Sequence, residues 1–268
     1  MVDRVGFGMA IAPKRLRYAV AAALLFVMPV LRASAQTPPE LPPLAKECGD
    51  ARITATPLPN SAVALQQRKK LKIVAIGASS TAVLGGWRSG QPPLLEQVLE
   101  KTIKGLDVEI INRGFSGELA EAAGERIKIE VALNHPDIVL WQVGTNDALA
   151  HVPVENFRLS VGNTVRWLKA HNVDVILVGL HYMKQLVKDP TYQAMRKSLG
   201  EIAAGENVLR IGRYAAMEIL ERTAAAAGQP EQEAFGLSED GYNCMAQYIA
   251  RNITVGLYAK ARSKTAPN

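Results

Sequence analysis

Residues 71–81 read Leu-Lys-Ile-Val-Ala-Ile-Gly-Ala-Ser-Ser-Thr. The run from Leu71 to Ile76 is apolar at consecutive rather than alternate positions, Lys72 excepted. A strand of that kind hides both faces, which is the habit of a parallel sheet covered on each side. Gly77 then allows a sharp turn, and Ala78-Ser79-Ser80-Thr81 puts small hydroxyl residues where a strand hands over to a helix. Outward from this stretch the alternation continues. Further apolar, β-branched runs lie at Val108–Ile111, Ile138–Val143, Val173–Leu180 and Val208–Ile211. Helical patterns fill about 93–104, 119–133, 153–171 and 191–206, followed by 213–227 and 239–262. Strands separated by helices predict an α/β fold: a flavodoxin-like three-layer α/β/α sandwich whose five parallel strands run in the order 2-1-3-4-5. In such a sheet ligands bind beyond the carboxyl ends of the strands, so the residues just after each strand are the ones to read for chemistry.

The flanks have a different character. Lys14, Arg15 and Arg17 precede an apolar run from Ala19 to Leu31, and Ala33-Ser34-Ala35 supplies a small-x-small site. This is the layout of a secretory signal cleaved after Ala35. Thirteen apolar residues are too few for a membrane span, which needs about 20, and no cysteine marks a lipidation site at the junction. Residues 1–35 carry five of the 31 basic residues and, in Asp3, one of the 25 acidic ones. The remaining 26 and 24 leave a net charge of +2, so the basic balance belongs to the export segment and gives no nucleic-acid footprint. Residues 36–68 are expected to be a proline-rich extension or linker, residues 69–262 the α/β domain and residues 263–268 a disordered tail. Cys48 and Cys244 are the only cysteines. In an exported chain they can pair, and two buried unpaired thiols are the competing reading.

Three loops carry the candidate chemistry. After the first strand, Ser79 is open to reading as a nucleophile, as a helix cap or as part of a phosphate cradle. After the second comes Asn112-Arg113-Gly114-Phe115-Ser116-Gly117-Glu118, in which two glycines three apart form a tight loop offering backbone N–H groups, or simply a turn. After the third comes Gly144-Thr145-Asn146-Asp147, in which Asn146 has an amide to point into the cleft and Asp147 is a candidate helix cap.

Taken in order on consecutive strands, GASSTA, NRGFSGE and WQVGTNDA resemble the three leading motifs of the SGNH (GDSL-like) hydrolase superfamily, over roughly Leu71 to Ile253. The resemblance implies a serine esterase. Ser79 would be the nucleophile, with the N–H groups of Ser79 and Gly117 and the side-chain amide of Asn146 as the oxyanion hole. Such donors contribute about 3–4 kcal/mol each to acyl transfer. Ala78 stands where the family usually has aspartate. The family's closing Asp-x-x-His matches a segment in which Glu233 takes the acid position and Gly236 the histidine position.

The four histidines are His135, His151, His171 and His181. His135 and His171 precede strands and so fall on the far edge of the sheet. His151 trails the third loop. His181 follows the fourth strand on the near edge, where it is either a surrogate base for Ser79 or a rim histidine packed beside Tyr182. In the loop Gly85–Gln91, Trp87 is a candidate contact for a sugar or acyl group and Arg88 for an anionic substrate. No metal-ligand cluster is visible, and the reaction implied needs no cofactor. The expected activity is hydrolysis of an acyl or acetyl ester on an extracytoplasmic carbohydrate or small molecule, in the periplasm or outside the cell. The alternatives are a degenerate member that binds such ligands without turnover and, with less to support it, a phosphate or flavin site at Gly77–Thr81.

Overall fold

The computed structural model describes residues 38–44, 48, 53–77, 93–228 and 239–259, side chains of 239 and 240 excepted. These all fall within one compact unit, Gln36–Asn268. Its strands are β1 (Lys70–Gly77), β2 (Asp107–Gly114), β3 (Ile138–Gln142), β4 (Asp174–Val178) and β5 (Leu209–Ile211). They pair in parallel in the order β2-β1-β3-β4-β5, as the sequence pattern predicts. The helices are α1 (Pro59–Arg68), α2 (Leu94–Thr102), α3 (Ala120–Asn134), α4 (Thr145–Leu149), α5 (Val154–Ala170), α6 (Pro190–Gly205), α7 (Arg213–Ala226) and α8 (Glu239–Tyr258).

The pleat of each strand sorts its side chains between two cores. Ile73, Ala75, Leu140, Ile176 and Val178 face one side, packed with apolar residues of α1, α2 and α8. Val74, Ile76, Val139, Trp141, Val175 and Leu177 face the other, against α3, α5 and α6. The three central strands are thus buried on both faces, which explains why their sequences are runs rather than alternations.

One expectation needs correcting. Residues 36–68 are not linker throughout, because α1 occupies Pro59–Arg68 and docks on the sheet. Ser61, Ala64 and Leu65 are buried, and both carboxylate oxygens of Asp174, at the start of β4, hold the first turn of the helix. Asp174 accepts from Asn60 Nδ2 at 3.0 Å, Ser61 N at 2.8 Å and Ser61 Oγ at 2.7 Å. The prolines around it suggest extended chain, but Pro59 sits at the helix start, where proline costs no hydrogen bond. A ten-residue helix with so narrow a buried stripe has little periodicity to detect.

The N-terminal arm is also tied to the last helix. Cys48 and Cys244 form a disulfide, with Cα atoms 5.3 Å apart. Leu58 N donates to Gly256 O at 3.0 Å, and Thr54 N to Asn252 Oδ1 at 2.9 Å. Among the described residues no helix is long and apolar enough to cross a membrane.

Candidate active site

β1 delivers the chain to the edge of the sheet through Gly77. A Cβ at this position would lie 2.5 Å from the carbonyl oxygen of Gln142 and 2.8 Å from its Cβ, and φ is +143°. Only glycine fits between β1 and β3 there. The Gly77 carbonyl accepts from Phe115 N at 2.7 Å, which draws the loop after β2 against the end of β1. Ser79, Trp87 and Arg88 lie outside the described residues, as do Glu233 and Gly236.

The loop after β2 is braced from within. Asn112 Oδ1 accepts from Gly114 N at 2.8 Å, a side-chain turn of the kind asparagine favours. Gly117 has φ +77° with open space around it, so the demand for glycine is conformational and not steric. Next in sequence, the largely buried Glu118 side chain takes a two-pronged ion pair from Arg126, its Oε1 accepting from Nε at 2.7 Å and its Oε2 from Nη2. Gly117 is thus exposed on a loop whose base is clamped to α3.

The loop after β3 is stitched to this one by two adjacent hydrogen bonds. Asn146 Nδ2 donates to the Glu118 carbonyl at 2.9 Å, and Asp147 Oδ1 accepts from Ala120 N at 2.9 Å. An amide has two N–H bonds, and the contact to Glu118 uses one. Asn146 is half-buried, so its amide is fixed at the sheet edge beside the loop that bears Gly117. Asp147 does cap a helix, but the preceding α3 and not the following α4. The carboxyl is almost wholly buried, and burial pushes its pKa above the usual aspartate value despite nearby backbone donors. Phe115 and Leu149 add exposed apolar surface on these two loops.

His181 follows β4 on the same edge. It is buried and held at three points. Its N–H donates to Thr145 Oγ1 at 2.9 Å, its carbonyl accepts from Tyr192 OH at 2.5 Å, and its Nδ1 lies 2.8 Å from Arg213 Nη2. Arg213 opens α7, just beyond β5, and is 1% exposed. Burial lowers its pKa to about 10, and its Nε and Nη1 have no hydrogen-bond partner. Burial first, and then the Arg213 charge, lower the His181 imidazole to about 3. The ring is therefore neutral at ordinary pH.

Thr145, Tyr192 and Arg213 are the site neighbours that the sequence reading passed over. Arg213 reads in sequence only as the start of a helix, although its place just after a strand marks the same edge. The other histidines sit elsewhere. His135 ends α3 and His171 ends α5, where it stacks on Trp167 at 3.8 Å, both before strands. His151 is exposed in the turn after α4.

The model of the Non-GDSL lipase-like family matches residues 47–259. Esterase TesA of Pseudomonas aeruginosa is 24% identical over 143 residues, covering 53% of this chain and 69% of that one. Among solved structures, the lipase/acylhydrolase of Enterococcus faecalis is 25% identical with a TM-score of 0.55, over 69% of this chain and 95% of its own. A catalytic mutant of the acetylxylan esterase Axe2 from Geobacillus stearothermophilus is 20% identical with a TM-score of 0.57, over 72% and 97%. The family match runs from the disulfide arm through every strand to the last helix, and on that ground the chain belongs to the Non-GDSL lipase-like family, within the SGNH-type ester hydrolases.

Proposed function

We propose that the protein hydrolyses a short acyl ester, such as an acetyl group, on a carbohydrate or small molecule outside the cytoplasm. Ser79 is the nucleophile, and the N–H groups of Ser79 and Gly117 with the Asn146 amide receive the oxyanion. The observation that carries this reading is the Asn146–Glu118 hydrogen bond, which holds one donor of the set one residue away from another. The family resemblance assigns the third to Ser79, two residues beyond Gly77 in sequence. Gly77 is itself bonded to the Gly117 loop through Phe115.

In the reaction the Ser79 oxygen attacks the ester carbon and the carbonyl oxygen gains charge inside the donor set. The alcohol departs with the serine's proton. Water then adds to the acyl carbon, returning a proton to Ser79 and releasing the acid. Phe115 and Leu149 offer apolar surface to the acyl group, and the sequence offers Trp87 for a sugar or acyl group and Arg88 for an anionic substrate. The acetylxylan esterase neighbour supports an acetylated carbohydrate as substrate, and the Cys48–Cys244 disulfide supports action in an oxidising compartment reached through the export segment 1–35.

A second reading, ligand binding without turnover, is favoured by two observations: no histidine follows His181 in the sequence, and His181 spends its Nδ1 on Arg213. A fluorophosphonate probe with a chromogenic acetyl ester separates the two. Labelling of the purified protein that disappears in Ser79→Ala, with turnover down on the order of 10⁴–10⁶, is the expected result. Absence of labelling across the pH range selects the binder.

A further inference from the structure

The carboxylates of α6 and α7 are spent on partners. Asp189 caps α6 by accepting from Tyr192 N at 2.7 Å. Glu201 takes Arg158 at 3.0 Å and Lys197 at 3.6 Å, and Glu206, at the end of α6, takes Arg166 at 2.9 Å and Lys169 at 3.2 Å. On α7, Glu221 takes Lys184 at 3.0 Å, and Glu218 lies 4.0 Å from Arg222. Two half-buried arginines are left over: Arg196 on α6 and Arg210 at the centre of β5. Neither has a carboxylate partner among the described residues.

The two share one surface. Arg210 leaves β5 and meets α6 at Gly200, its Nε and Cζ 3.9 Å from the place that a Cβ would take there. Gly200 stands one helical turn beyond Arg196 and so on the same face. Arg196 sits over the Tyr214 ring, its Cζ 3.8 Å from the centroid, and its Nη1 donates to Gln193 Oε1 at 3.3 Å. Burial first, and then the Arg196 charge, lower the pKa of Arg210. Like charges held this close oppose one another, and partial burial adds to the cost. An oxyanion relieves both, because it neutralises the pair and accepts from guanidinium N–H groups in the two-pronged geometry that arginine favours.

We propose that Arg196 and Arg210 form a binding subsite, on the face shared by α6 and β5, for an oxyanion carried by a ligand: the carboxylate of an acidic sugar. Tyr214 connects the subsite to the carboxyl edge of the sheet. Its ring meets Tyr182 edge to face, with centroids 5.1 Å apart, and Tyr182 follows His181 directly beyond β4. Tyr182 is half-buried, and an aromatic ring beside the charge gives apolar surface to the carbon framework of a sugar acid. Neither arginine belongs to the Ser79–Gly117–Asn146 set, so the subsite does not depend on the esterase reading.

The test is binding to the purified protein, followed by calorimetry and by the arginine Nε–H signals of ¹⁵N-labelled material, with glucuronate, glucose and inorganic phosphate as probes. Glucuronate is expected to bind saturably, to weaken as salt is raised, and to shift the signals of Arg196 and Arg210, assigned by their loss in Arg196→Met and Arg210→Met. Phosphate should compete with it more weakly, and glucose should not bind. Each variant should weaken glucuronate binding by about tenfold or more. Phosphate binding tighter than glucuronate would keep the oxyanion subsite and overturn its assignment to a sugar acid. No saturable binding of either anion overturns the proposal outright, as does binding that glucose matches or that survives both substitutions together. Methionine keeps the apolar stem of arginine. If Arg210→Met does not fold, the parent titration and Arg196→Met still decide. No turnover enters these measurements, so they stand whatever becomes of the esterase reading.

Discussion

The two edges of the sheet treat buried charge differently. At the amino ends of the strands, Asp174 satisfies both carboxylate oxygens on the first turn of α1, and Asp137 accepts from Arg68 and from Lys72 N. At the carboxyl ends, Asp147 has one oxygen without a partner, and Arg213 has two nitrogens without one. Buried polar groups left unpaired cost stability, and a fold keeps them where something else needs them. The first edge fastens α1 and the strands. At the second, Asp147 adjoins Asn146 and Arg213 meets the His181 that is bonded to Thr145, so the unpaired groups lie beside the residues of the proposed site.

This contrast can be attacked from either side. The largest effect is expected from Asn146→Ala, which should lower kcat by about 10²–10³, equivalent to about 3–4 kcal/mol, while the urea midpoint moves little. A small loss of rate with a large loss of stability would make Asn146 a brace of the Glu118 loop and blur the distinction. Next comes Asp174→Ala, which strands the Ser61 and Asn60 donors. It should cost about 3 kcal/mol in urea unfolding and leave kcat at the parent value. A fall in rate would show that the amino edge reaches the chemistry.

The smallest effect concerns pH. Burial raises the Asp147 carboxyl above its ordinary 3.8 in the folded protein, so between that value and the raised one the folded state binds more protons than the unfolded. Stability from this group is complete below the ordinary pKa and declines as pH rises through the raised one. Asp174 is shifted in the same sense, again by burial. Asp147→Asn should flatten part of the decline in unfolding free energy over this window, and a slope identical to the parent's would show the carboxyl to be unshifted.

The sheet was legible because burial on both faces leaves an unbroken mark in the chain. Ile73 to Ile76 and Ile138 to Trp141 read as runs for the same reason that they end in two separate cores. The placement of Gly117 and Asn146 on neighbouring loops at one edge was legible because those loops follow such runs directly. α1 was hidden by its neighbours' prolines and by drawing its anchorage from Asp174, more than a hundred residues later. The Arg213–His181 contact was hidden more thoroughly. It joins residues 32 apart, and neither has a local pattern that calls for the other. Pairing of the two cysteines likewise waited on distance, since sequence does not place Cα atoms.

The bond between residues 48 and 244 spans 196 positions, so nearly the whole domain is threaded on one covalent ring. A single peptide-bond cut anywhere inside it opens the ring without parting the molecule. On a denaturing gel the nicked protein keeps its full mass until a thiol is added, when two fragments separate. Before reduction the tethered pieces remain at high local concentration and can re-dock, so limited proteolysis of this protein has to be judged under reducing conditions.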